Sequence, residues 1–255
     1  MINTPPIVLG AFGTTARAMN TYSYIDAQVK KAFPGHPVKW AYTSRMVCAH
    51  MRNKCRANMK SPRQVMAKLA EAGYAWAVVQ SIHLICAHEF YRLVDDVRDS
   101  PVRASVGLPL LAEPADYRDV AAALISRLAP TPQTATLLIG HGTDHPAWTA
   151  YPALARILAD RVDNVHVATI EGETAMEETV QTVIRSGIAS VRLVPLMLVA
   201  GVHVQEDIAG EADSWKAAFE AAGLRVTVEP DGVGKNPAVV GIFIRHIRDA
   251  LKMIP

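Results

Sequence analysis

In "TLLIGHGTD", residues 136–144, an apolar run ends in an imidazole, His141, with a glycine on either side. Two later stretches end in side chains of related chemistry: "ATIEG" supplies Glu171, and "LMLVAGVH" supplies His203. Two imidazoles and a carboxylate on separate segments suit a borderline divalent metal such as Co²⁺, Fe²⁺, Ni²⁺ or Zn²⁺. A single histidine after an apolar run is most often structural; three metal-capable residues at equivalent places in three runs weigh against that. Gly140, Gly142 and Gly201 remove side chains beside the two histidines, which is expected to let a bulky flat ligand approach the backbone.

Such a site needs elements that bring the three runs side by side. Apolar strand patterns alternate with amphipathic helical ones: "IVLGAF", a helical "TYSYIDAQVKKAF", "VKWAYTS", "SPRQVMAKLAEAG" with its Ser-Pro start and Gly stop, and "WAVVQSIHLI". The order recurs after the Pro-rich "APTPQ" (129–133) with "TLLIGHG", "YPALARILADRV", "VHVATIEG", "AMEETVQTVIRSG" and "VRLVPLMLV". Alternation of this kind predicts βαβ units, hence an α/β fold with parallel sheets flanked by helices. The recurrence predicts two similar lobes, residues 1–130 and 131–255, the second carrying the metal residues. Aligning "LGAFGTT" with "LIGHGTD" sets Phe12 opposite His141. Ser44 then falls opposite Glu171, and Glu89 (or His88, with one gap) opposite His203. Ligands of open parallel sheets bind at the carboxyl ends of the strands, where all these residues are expected to gather.

Composition bounds the function. The 255 residues are 50% hydrophobic and 20% charged, with a net charge of +2, which gives no reason to expect nucleic acid or a membrane surface as partner. No apolar run reaches the ~18 residues of a membrane span. The first residues lack the basic start of a signal peptide, so the expected location is the cytoplasm, or the periplasm if a leader has been cleaved. Cys48, Cys55 and Cys86 are odd in number and form no CxxC pair, consistent with reduced thiols. "GHG" lacks the arginine that a histidine phosphatase places before its nucleophile. There is no GxGxxG, Walker lysine or GxSxG elbow, so nucleotide and serine-hydrolase chemistry are unsupported. The remaining histidines read as structural: His36, His50, His166 and His246 in loops or on helix faces, and His145 in a turn. His83 reads as core, with a ligand role, such as to haem in an oligomer, left open. "YTSRMVCAHMRNKCRANMK" (42–60) carries Arg45, Arg52, Lys54, Arg56 and Lys60 and no acid. It is either a solvated face or a contact for a polycarboxylate.

Several stretches together resemble a family. "FGTT", "QSIHLICAHEFY", "GHGTDH", "IEG", "VPLMLVAGVHVQEDIAGEADSWK" and "GVGKNPA" are similar, nearly end to end, to the anaerobic sirohydrochlorin cobalt chelatases (CbiK type) of the class II tetrapyrrole chelatases. The resemblance implies two α/β lobes with a tetrapyrrole cleft between them. It implies ATP-independent insertion of Co²⁺ into sirohydrochlorin, early in anaerobic cobalamin synthesis, with no nucleotide or organic cofactor. It places the metal on His141, Glu171 and His203 and adds Glu89 to the two histidines as a catalytic residue. Phe12, Ser44, His88, Arg45, Arg52 and Arg56 are the expected substrate contacts, and a homo-oligomer is allowed for. One departure is Val202, which replaces the acid often found before the second histidine. The chemistry agrees: metallation releases two pyrrole protons, and neutral imidazoles can ligate the metal and accept protons. Two rivals remain at this level, a ferrochelatase inserting Fe²⁺ and a metal- or haem-binding module without catalysis.

Overall fold

The computed structural model describes residues 4–14, 19–49, 59–128, 131–172 and 175–255. The chain forms two compact units, Met1–Ala112 with Pro237–Pro255, and Glu113–Asn236. In the first, β1 (Ile7–Ala11), α1 (Met19–Ala32), β2 (Val38–Tyr42), α2 (Pro62–Glu71), β3 (Trp76–Ile82), α3 (His88–Arg98) and β4 (Arg103–Gly107) alternate. The second begins with α4 (Pro114–Leu128), then β5 (Thr134–Gly140), α5 (Ala150–Ala159), β6 (Val165–Thr169), α6 (Met176–Arg185), β7 (Ser190–Pro195), α7 (Trp215–Ala221) and β8 (Arg225–Val228). The sheets are four-stranded, in the orders β2-β1-β3-β4 and β6-β5-β7-β8, and every pairing is parallel. The expected α/β class with two similar lobes is therefore found.

Burial follows position in the sheet. The central strands β1, β3 and β5 are buried almost throughout, as strands covered on both faces must be, whereas the edge strand β8 alternates exposed with half-buried residues. Helices complete each core. Ser61 caps α2 by a reciprocal capping box with Gln64, which fixes the helix start so that Val65, Met66 and Leu69 turn inward. In the second unit Leu137, Ile139 and Leu193 pack with Trp215 and Phe219 of α7.

The division between units differs from the expected 130/131. Helix α4 packs on α5 and so belongs to the second unit. The last helix, α8 (Pro237–Lys252), packs on β3 and β4 of the first. Its Ala250 carbonyl accepts from Ser105 Oγ at 2.7 Å, and His246 Nδ1 lies 3.0 Å from the Leu108 carbonyl. His246 is thus a buried brace. A sequence-order boundary misses this because the second unit is inserted between β4 and the helix that covers it.

The duplication is exact in register at the strand tips. Ile7 pairs with Val38 and Val78, and Thr136, its counterpart, with Val165 and Arg192. After β1, Ser44 N donates to the Phe12 carbonyl at 3.1 Å; after β5, Glu171 N donates to the His141 carbonyl at 2.8 Å. The offset between Val78 and Arg192 (192 − 78 = 114) is also the offset between Glu89 and His203 (203 − 89 = 114), so the strand register continued without a gap pairs Glu89 with His203. No helix among the described residues is long and apolar enough to cross a membrane.

His83, directly after β3, is buried, as expected of a core residue. Its Nδ1 sits 2.9 Å from Ser81 Oγ, while Nε2 has no hydrogen-bond partner among the described residues. Burial pushes its pKa down from 6.5 to about 4. Between those values the unfolded chain binds a proton that the fold refuses, so stability rises with pH and is lost as pH falls through that window, by up to about 3 kcal/mol. Denaturant titrations of wild type and His83→Gln from pH 7 to pH 4 are expected to show a flatter pH dependence in the variant. Parallel curves would refute the assignment.

Candidate functional site

The loop after β5 holds His141 in place through backbone contacts. Gly142 adopts φ +89°, and its amide donates to the Tyr151 hydroxyl of α5 at 3.4 Å. A Cβ on Gly142 would stand 1.9 Å from the Glu171 carbonyl oxygen, and one on Gly140 would stand 2.2 Å from the Tyr151 ring. The two glycines are therefore occupied from within: one admits a tyrosine ring, the other the backbone of the neighbouring strand tip. This corrects the expectation that they open the backbone to a flat ligand. Their packing instead pins the His141 and Glu171 loops together.

The structure brings His141, Glu171 and His203 to one place. His141 Nε2 lies 3.3 Å from His203 Nε2, with the rings T-shaped at 89°. Two nitrogens bound to one ion at ~2.0–2.1 Å in tetrahedral geometry would be about 3.3–3.4 Å apart. The pair is thus already spaced as two ligands of a single metal. Glu171 stands on the other side of the same ring, Oε2 being 3.8 Å from His141 Nδ1, where Gly142 O also lies at 3.3 Å. Two of the three expected ligands bring their Nε2 atoms within 3.3 Å of each other, and the third lies 3.8 Å from Nδ1 of the first. Among the described residues no three His, Cys, Asp or Glu side chains are grouped closely enough to hold a metal ion together. All three are between 43% and 62% exposed, so an incoming ion can reach them.

A further residue, absent from the expected set, joins them. His203 Nδ1 is 2.8 Å from Asp207 Oδ2. The signal was present in "HVQED": a carboxylate four residues after an imidazole shares its side of a helical turn.

The first unit carries different chemistry at the same places. Glu89, in the first turn of α3, takes a hydrogen bond from Thr43 Oγ1 on one oxygen and an ion pair from Arg92 on the other. Ser44 is buried, and its hydroxyl accepts from the Val47 amide, a local structural contact. Phe12 is 44% exposed, and Arg45 and His88 lie on the surface. Arg52 and Arg56 lie outside the described residues. The units also differ along their edge strands. Trp40 of β2 packs on Tyr22 and donates to Asp26 at 3.0 Å. The corresponding Val167, Tyr151 and Ala155 instead border a cavity of about 600 Å³ that reaches Gly142 and Glu171.

Comparison with known proteins gives the family and the fold. Residues 6–252 match the family described as Cobalt chelatase (CbiK). The chain is 36% identical over 261 residues to the sirohydrochlorin cobaltochelatase CbiKC of Nitratidesulfovibrio vulgaris, covering 97% of this chain and 91% of that one. It is 34% identical over 218 residues to the sirohydrochlorin cobaltochelatase of Salmonella typhimurium, covering 84% and 83%. Among solved structures, SirB from Bacillus subtilis with Fe³⁺ superposes with a TM-score of 0.69 at 16% identity, covering 97% and 95%. The sirohydrochlorin chelatase SirB of B. subtilis subspecies spizizenii with cobalt does so at 0.69 and 16%, covering 98% and 96%. At that identity the likeness concerns the fold.

The glycine packing is testable. Gly142→Ala combines a left-handed backbone with a clash against the Glu171 backbone, whereas Gly187→Ala has φ +73° and nothing within 4 Å of its Cβ. The Gly187 variant is expected to lose about 1 kcal/mol and the Gly142 variant at least 1–3 kcal/mol more. Equal losses in thermal melts would show that Gly142 is required only for its dihedral angle.

Proposed function

The chain belongs to the cobalt chelatase (CbiK) family, and from that premise we propose that it inserts Co²⁺ into sirohydrochlorin without nucleotide or organic cofactor. The observation that carries the reading within this chain is the 3.3 Å approach of His141 Nε2 to His203 Nε2. Both nitrogens, when neutral, offer a lone pair to a dication, and the nearby carboxylate of Glu171 favours positive charge at that point.

The reaction exchanges one dication for two pyrrole protons. His141 and His203 hold Co²⁺ at the strand tips until the macrocycle nitrogens take over its coordination. Each imidazole released from the metal regains a lone pair and can accept a pyrrole proton. Glu89, buttressed by Thr43 and Arg92, is a second carboxylate available to the proton path. Arg45, Arg52 and Arg56 supply cations for the carboxylates of the substrate. Fe²⁺ and Ni²⁺ accept the same nitrogen donors, so preference among the three is set by coordination geometry and supply.

The test is anaerobic incubation of the protein with sirohydrochlorin and Co²⁺, followed by absorbance, with Fe²⁺ and Ni²⁺ in parallel. Metallation faster than the protein-free control is expected. His141→Ala should lower the rate roughly 10²–10⁴-fold while the melting temperature stays near wild type, since His141 packs outside the core. Wild-type turnover in that variant would remove His141 from the mechanism. Tetrapyrrole binding without metallation in the wild type would make the protein a carrier.

A further inference from the structure

The segment after His203 is a π-helical turn, Val204–Ile208, closed by the Ala209 amide on the Val204 carbonyl at 3.0 Å. Two side-chain pairs spaced four apart run along it, one residue out of phase. Val204 and Ile208 are buried in the core of the second unit, and His203 and Asp207 stand on the outward side. Gly210 ends the turn against the Glu206 carbonyl, 2.3 Å from where a Cβ would be, and Ser214 Oγ donates to the Gly210 carbonyl at 2.6 Å. The relative position of His203 and Asp207 is thus set by core packing and by closure of the turn.

A neutral imidazole carries one proton, on Nδ1 or on Nε2, and only the nitrogen without it can ligate a metal. Asp207 is an acceptor placed 2.8 Å from Nδ1, so it draws the proton there and leaves the Nε2 lone pair facing His141 Nε2. His141 has a weaker version of the same arrangement, with the Gly142 carbonyl 3.3 Å from its Nδ1. We propose that Asp207 is a positioning residue that holds His203 in the Nδ1–H tautomer and in ring orientation, so that the His203 Nε2 lone pair is presented on the His141 side, where the incoming cation is met. The inference rests on the reading of His203 as a metal ligand.

The experiment uses the full chain without tetrapyrrole and titrates Co²⁺ alone by calorimetry under anaerobic conditions. Wild type is compared with Asp207→Ala, Asp207→Asn and His203→Ala. Asp207→Ala is expected to raise the Kd about 10- to 100-fold, and Asp207→Asn, which keeps an acceptor oxygen, to restore part of the loss. In the metal-free protein at a pH where the imidazoles are neutral, ¹⁵N spectra should show His203 protonated on Nδ1 in wild type and moving toward Nε2–H in Asp207→Ala. Melting temperatures should stay within a degree or two, separating orientation from unfolding. Wild-type affinity in Asp207→Ala, with affinity lost in His203→Ala, would overturn the positioning role and leave the metal reading intact. Wild-type affinity in His203→Ala would overturn both.

Discussion

Two backbones meet where side chains would forbid it: the turn at Gly142 lies against the Glu171 carbonyl with no room for a methyl group, while Glu171 N donates to the His141 carbonyl at 2.8 Å. Each supports the other. The left-handed turn lets the β5 loop fold onto the β6 loop, and the hydrogen bond holds it there. Tyr151 fills the space at Gly140 with its ring and receives the Gly142 amide on its hydroxyl. Three contacts, none involving the imidazole, therefore determine where the imidazole stands. The imidazole itself takes no part in these contacts and is about half exposed.

The first unit repeats this frame with other residues on it. Gly13 is left-handed at φ +106°, its amide reaches the Tyr22 hydroxyl at 3.3 Å, and Ser44 N bonds to the Phe12 carbonyl. Tyr22 and Tyr151 each lie nine residues after the glycine they bind. Burial without a compensating charge raises the pKa of both phenols, so both stay protonated hydroxyls. One backbone solution thus presents His141, Glu171 and His203 in one unit and Phe12, Ser44 and Glu89 in the other. The same frame thus carries different side chains in the two units.

Much of this was legible in the sequence because the frame has strong local causes. Apolar runs bounded by glycine identify the central strands, and the spacings from Phe12 to Ser44 and from His141 to Glu171 give the register. The partition of the chain was not legible: helix Pro237–Lys252 is amphipathic and would suit either sheet, and only packing on β3 and β4 decides between them. The reason for Gly140 and Gly142 was also hidden, since an absent side chain leaves no trace of what fills its place. Asp207 was missed for a different reason. Its four-residue spacing from His203 is common on any solvated helix, and meaning attaches to it only once the neighbouring Val204 and Ile208 are seen to be buried.

The openness of the centre bears on how it would use a metal. Structural metal sites close four protein ligands around the ion and keep it, whereas catalytic sites leave positions free. Here two imidazole Nε2 atoms lie 3.3 Å apart, one carboxylate flanks them, and another contacts an imidazole at its Nδ1. A centre built this way binds an ion through few bonds and leaves most of its coordination positions for other ligands. For a resident cofactor that would be a defect. For a metal to be handed to four ring nitrogens it is a requirement, because each protein ligand added to the centre is one more bond to break during transfer. The same economy fits supporting groups that contact Nδ1 while the Nε2 atoms meet only each other, at 3.3 Å: they orient the donors without adding to the bonds that must be released.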